Sequence, residues 1–169
     1  MEYDSKKLLI IIALLLIWNY TTSKTKEIYF NTTKVEEVKI DQKQVELLAR
    51  LIYSEAGGES YLGMLAVGNV VSNRMENNNH SLAKVIYQKG QFDGVRSSTF
   101  KYKYKKDKRY LICIKAATEI LNGRRVLKQT IEFFFNPETS TDSKWIAKIK
   151  KYKEIQIDNH LFCHNPNLV

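Results

Sequence analysis

Apolar residues at Val45, Leu48, Ala49 and Ile52 follow the i, i+3, i+4, i+7 spacing of one helix face. Asp41 precedes them as an N-cap, since a carboxylate there accepts from the free backbone N–H groups of the first turn. Gly57 and Gly58 end the helix. Ser60 repeats the capping signal, and Leu62, Leu65, Ala66, Val70 and Val71 give a second helix its apolar face as far as Met75. Asn77, Asn78 and Asn79 read as a polar turn. A short helix is predicted over Ser81–Tyr87, broken at Gly90. Residues 91–108 show no period and are expected to form a long loop, which in a small domain is usually functional or mobile. Arg109–Leu121 predicts a further helix, stopped by Asn122-Gly123. The aromatic run Thr130–Phe135 predicts a strand ending at Asn136-Pro137. A short helix over Ser143–Ile149 follows. Tyr152–Ile157 predicts a strand packing through Tyr152, Ile155 and Ile157, and Asp158-Asn159 turns it back into His160–Cys163 as a two-residue hairpin. The expected fold class is α+β, mainly helical with a small antiparallel sheet late in the chain.

The N-terminus follows another pattern. Lys6 and Lys7 precede an unbroken apolar run of eleven residues, Leu8–Trp18. A membrane span needs roughly 20 apolar residues, whereas the apolar region of a signal peptide needs only about 7–15 after a positive start. Residues 1–23 therefore read as a cleaved signal peptide or as a short anchor that tethers the chain to a membrane through Leu8–Trp18. Thr21 and Ser23 offer a weak cleavage site, and no Ala-x-Ala occurs. Residues 24–40 are polar, charged and threonine-rich, and read as a linker to a domain over 41–169. The expected location is outside the membrane, in the cell wall or on the outer membrane face.

Composition narrows the partners. Apolar residues make up 44% of the 169, enough for a core without metals or disulfides. The net charge of +9 favours anionic partners. The stretch Lys101–Arg109 is basic with interleaved tyrosines, a composition that fits a solvated loop, a grip on anionic wall polymers or a grip on single-stranded nucleic acid. The export signal weighs against nucleic acid. Cys113 and Cys163 are fifty positions apart with no Cys-x-x-Cys, which leaves two buried thiols or a disulfide. His160, Cys163 and His164 do not have metal-ligand spacing, so neither a metal nor a cofactor is expected.

One residue breaks the first helix pattern. At about 100° per residue, Glu55 falls between Leu51 and Leu48 on the apolar arc, in the last turn. Burial and the negative helix C-terminus both raise a carboxyl pKa there. A carboxyl still protonated near neutral pH is what a glycosidase general acid needs. A Glu that snorkels outward or pairs with a base fits the same spacing. Glu59, Asp93 and Asp158 are candidate second carboxylates.

Four segments together resemble the SleB-like cell wall hydrolases, which include the spore cortex-lytic enzymes. They are Glu46–Arg74 with its Tyr-Ser-Glu-Ala-Gly-Gly-Glu, Gln91-Phe92, Phe134-Phe135-Asn136-Pro137 with Ser143 and Trp145, and Ile157-Asp158-Asn159-His160-Leu161-Phe162. The resemblance spans Val45 to Phe162. It implies a lysozyme-related catalytic domain acting on the glycan strands of peptidoglycan, cleaving between N-acetylmuramic acid and N-acetylglucosamine as a lytic transglycosylase. In that chemistry one Glu protonates the leaving oxygen and then takes the proton of the sugar's C6 hydroxyl. The resemblance puts this role on Glu55, and substrate contacts on Glu59, Gln91, Phe92, Asn136, Trp145 and His160. Two departures stand out: Gly57 where the family has Arg, and Asp158 where it has Gly. They motivate an alternative, a non-catalytic wall- or polyanion-binding protein that keeps the fold.

Overall fold

The computed structural model describes residues 14–24, 40–101 and 107–169. The chain divides into two units, Met1–Lys39 and Ile40–Val169. In the first, residues 14–24 are helical (α1), with Leu14–Trp18 exposed. Among the described residues no helix is long and apolar enough to cross a membrane. Most of the predicted linker lies outside the described residues.

The second unit is built around one helix. Helix α2 spans Gln42–Ala56 and α3 spans Tyr61–Asn78. Asp41 caps α2 by accepting from the Lys43 N–H at 2.9 Å, and Ser60 caps α3 through the Gly63 N–H at 3.2 Å. Every residue of α3 from Gly63 to Arg74 is buried. A helix enclosed on all sides has no polar face, so its apolar period is weak in sequence. It also runs one turn further than expected, to Asn78, with Asn79 taking the left-handed cap at φ 49°. Helix α4 (Leu82–Ile86), α5 (Ser98–Lys101) and α6 (Lys108–Leu121) complete the helical layer.

Three asparagines of α3, spaced one turn apart with the first two buried and the third exposed, fix the chain that leads into the sheet. Asn69 accepts from the Val126 and Leu127 N–H groups at 2.7 and 2.8 Å. Asn73 donates to the carbonyls of Lys128 and Ile131 at 2.8 and 2.7 Å. Asn77 donates to the Glu132 carboxylate at 2.7 Å. Burying an amide is tolerable only when it is hydrogen-bonded, and this ladder satisfies loop backbone that would otherwise be orphaned.

The sheet is antiparallel, ordered β1 (Ile131–Phe135), β3 (His160–His164), β2 (Lys153–Ile157). Helix α7 (Ser143–Ile149) connects β1 to β2 through a short 3-10 turn. The central strand β3 is buried on both faces: Phe162 joins the main core, while Leu161 and Cys163 join a smaller one with Phe135 and Ile149. The expected packing role of the β2 side chains is corrected here. Only Ile157 is buried; Ile155 is 45% exposed, and Tyr152 precedes the strand. Strand β2 is an edge strand whose register shifts between Lys153 and Ile155, so its alternation does not face a core. Residues 93–101, expected as loop, form a 3-10 turn over Asp93–Arg96 and then α5. Both thiols are free and buried.

Candidate active site

Glu55 sits one residue from the end of α2, half-buried on the edge of the main core. The Asp93–Arg96 turn covers it. The Gly94 N–H donates to Glu55 Oε1 at 2.7 Å. A Cβ on residue 94 would lie 2.5 Å from that oxygen and 2.6 Å from Ser54 Oγ, so only glycine brings a backbone donor this close. Burial raises the Glu55 pKa above the ordinary carboxylate value of 4.5, opposed by the Gly94 hydrogen bond; Asp93 raises it further and Arg74 lowers it.

Glu55 opens onto a cleft of about 500 Å³. Gln91, Phe92 and Asp93 line it together with Phe133, Phe134, Phe135 and Asn136. Thr139 to Asp142 supply hydroxyls and a carboxylate at the rim. Trp145, from α7, stands edge-on to Phe133 and Phe135 at ring distances of 6.1 and 5.6 Å. Such a wall presents flat apolar surface to a sugar ring, with polar groups around it to fix orientation.

Of the site residues expected from sequence, Glu55, Gln91, Phe92, Asn136 and Trp145 meet on this one cleft. Phe92 is also core, 6% exposed and packed near Phe134. Asn136 accepts from the Glu138 N–H at 2.8 Å, which shapes the turn after β1. Glu59 and His160 meet elsewhere, where the β2–β3 hairpin touches the α2–α3 turn. Glu59 accepts from Asn159 through both its backbone N–H and its side-chain amide, at 3.2 and 3.1 Å. His160 Nδ1 lies 3.9 Å from Glu59 Oε1, and its ring packs edge-on to Phe134 at 5.2 Å. Burial lowers the His160 pKa, opposed by the Glu59 and Asp158 charges.

The two departures from the family pattern also lie outside the cleft lining. Asp158, at φ 51°, accepts from the Ser60 N–H and hydroxyl at 2.9 and 2.6 Å. Its charge therefore sits at the N-terminus of α3, where the helix dipole favours an anion. Gly57 follows α2 with its carbonyl accepting from Arg109 Nε at 2.5 Å, and Arg109 also donates to the Glu59 carbonyl. Arg109 thus braces the turn after Glu55 and is not a free cation of the basic stretch. Residues 102–106 of that stretch lie outside the described residues.

Arg74 was not singled out by sequence reasoning. It lines the cleft with Glu55, is 9% exposed, and donates from Nε to the Glu132 carbonyl at 2.7 Å. Its guanidinium lies 4.9 Å from the Phe92 ring centre and 5.5 Å from that of Phe133. Burial lowers its pKa to about 10, opposed by Glu132 and Glu55, which leaves it charged at neutral pH. The available signal was its spacing: position 74 continues the apolar row Val67, Val70, Val71, where a cation is out of place.

A sequence model of the cell wall hydrolase family matches residues 58–163. The chain belongs to the cell wall hydrolase family. Two relatives show how the match is distributed. The spore cortex-lytic enzyme of Bacillus cereus is 30% identical over 124 residues, 72% of this chain and 44% of that protein. The cell wall hydrolase CwlJ of Bacillus subtilis is 30% identical over 127 residues, 68% of this chain and 86% of that protein. The chain thus matches less than half the length of the spore cortex-lytic enzyme and most of CwlJ. In structure it is similar to the catalytic domain of the germination-specific lytic transglycosylase SleB from Bacillus anthracis, with TM-score 0.62 and 26% identity over 75% of this chain and 98% of that one. The catalytic domain of Bacillus cereus SleB aligns with TM-score 0.61 and 28% identity, over 75% and 93% of the two chains. The α+β architecture expected from the sequence is therefore the family's fold.

Proposed function

We propose that this chain degrades peptidoglycan by cleaving its glycan strand between N-acetylmuramic acid and N-acetylglucosamine, as a lytic transglycosylase with Glu55 as acid and then base. The observation that carries this reading is Glu55 itself. It is a carboxyl whose pKa burial raises, fixed by one backbone N–H, on an aromatic-lined cleft. The likeness to SleB, named a lytic transglycosylase, supports the reaction type.

The proton accounting needs only one residue. Glu55 gives its proton to the glycosidic oxygen as the C1–O bond breaks. The resulting carboxylate takes the C6 hydroxyl proton while that oxygen bonds to C1, which closes a 1,6-anhydro ring. No water is consumed and Glu55 ends protonated, ready for the next strand. Phe133, Phe135 and Trp145 are the surfaces on which a sugar would stack, and Asn136 and Gln91 would orient its polar groups. In this reading the chain acts outside the membrane. Its net positive charge draws it to anionic wall polymers, and residues 1–23 serve export or tethering.

Turbidity clearing of purified wall suspensions tests the role of Glu55. The Glu55→Gln chain should bind and sediment with walls but clear them at least about a hundredfold more slowly, the usual worth of a positioned general acid. Clearing at the wild-type rate would remove Glu55 from the chemistry. A wild-type chain that sediments with walls and clears nothing would make the protein a binder.

A further inference from the structure

Arg74 is unusual in being enclosed without hydrogen-bond partners for the reaching end of its guanidinium. Its one hydrogen bond uses Nε. Nη1 is buried with no acceptor. Leaving a buried cation so is costly unless something occupies the free edge at some stage of function. Two aromatic faces and the Glu132 carbonyl prevent it from turning away. The Glu132 carboxylate, whose charge also acts on Arg74, is already committed to Asn77 and Asn165, each at 2.7 Å.

We propose that Arg74 is a positioning residue of this site: its fixed guanidinium is the counter-charge for the Glu55 carboxylate formed when Glu55 gives up its proton. This rests on the reading of Glu55 as the acid. Between the two proton transfers Glu55 is a half-buried anion, and a fixed cation lining the same cleft stabilises that state with no reorganisation. Arginine suits the role because it keeps its charge when buried and its flat fork is held by stacking. The other charges around Glu55 do not compete. Asp93, on the covering turn, has the wrong sign, Arg96 of that turn is exposed and pairs with Asp93 at 3.1 Å, and Asp142, which also lines the cleft, is acidic too. Lys84 of α4 and Lys101 of α5 are exposed, and Arg109 of α6 is taken up by the carbonyls of Gly57 and Glu59. The opposing influence of Arg74 on the Glu55 pKa agrees with this arrangement.

NMR titration of the full chain tests the pairing. In the wild type, the Arg74 Nη resonances should move with the same midpoint as the Glu55 side-chain carboxyl, and the movement should vanish in Glu55→Gln. In Arg74→Gln the Glu55 midpoint should rise, because a charge favouring the carboxylate is gone; in Arg74→Lys it should stay near wild type. Wall clearing by Arg74→Gln should fall about tenfold or more, with its alkaline limb moved to higher pH, while co-sedimentation with walls changes less than about threefold. Arg74 resonances that stay flat through the Glu55 titration would overturn the proposal, and so would a loss confined to wall binding. The wild-type titration needs no variant at position 74 to fold. It also reads the pairing whether or not Glu55→Gln clears walls, so failure here is distinct from failure of the proposed reaction.

Discussion

Glu55 and Gly94 act as one unit at the residue scale. The Gly94 N–H lowers the Glu55 pKa and burial raises it, with burial the larger. Because the folded-state pKa is raised, the folded chain holds the Glu55 proton more tightly than the unfolded chain. That stabilises the fold below the unfolded value and is lost as pH rises through the folded value. Glu55→Gln should therefore raise the melting temperature near neutral pH, and the gain should vanish in acid below the ordinary carboxylate value; thermal melts at both pH values check this. The same sign governs activity, since the working acid must be protonated. Clearing rate should fall along an alkaline limb that lies above the ordinary carboxylate range. Gly94→Ala should cost about 1–3 kcal/mol, the usual price of overpacking, and slow clearing more than tenfold as Glu55 is displaced, a loss of about 1.4 kcal/mol in the barrier. Urea titration beside the clearing assay separates the two effects.

Element by element, the caps Asp41 and Ser60 and the Asp158-Asn159 turn were legible in the sequence because each is a local device with its own chemistry. What was not legible depended on tertiary contacts. Asn77 read as a turn residue, yet it continues α3 as the last rung of the ladder begun by Asn69 and Asn73. The spacing puts Arg74 on the apolar row of α3, but only the fold shows that it lines the cleft beside Glu55. The 93–101 segment has elements of four residues each, too short to show a period, and only tertiary contacts such as the buried Phe100 define them. Asp158 shows how a departure from a family pattern can be read only in three dimensions. It occupies a left-handed position suited to glycine and offsets the strain by tying the hairpin to Ser60. Asp158→Ala should destabilise by about 1–2 kcal/mol, from two lost hydrogen bonds and a strained φ. Asp158→Gly should cost less, since glycine relieves the strain. Chemical denaturation of both variants measures the order, and equal losses would show that φ contributes nothing.

Over the whole molecule, the site is assembled from distant parts of the sequence: the end of α2, the C-terminal part of α3, the Asp93 turn, β1 and α7. Five of the seven residues expected from sequence share the cleft, since their motifs sit at element ends that the fold brings together. Glu59 and His160 join the hairpin contact beside it, a placement that the spacing of the motifs does not encode. All of these lie within Ile40–Val169. That unit expressed alone should melt cooperatively and clear walls within a few-fold of the full chain; a fragment without a cooperative transition would show that the first unit is needed for the fold. The most direct measurement is the mass spectrum of glycan fragments released from purified peptidoglycan by the wild type beside Glu55→Gln. The wild type should release fragments ending in 1,6-anhydro-muramic acid, one water lighter than hydrolysis products, and Glu55→Gln should release none. Reducible muramic ends, or anhydro ends from Glu55→Gln, would contradict a single Glu carrying both proton transfers.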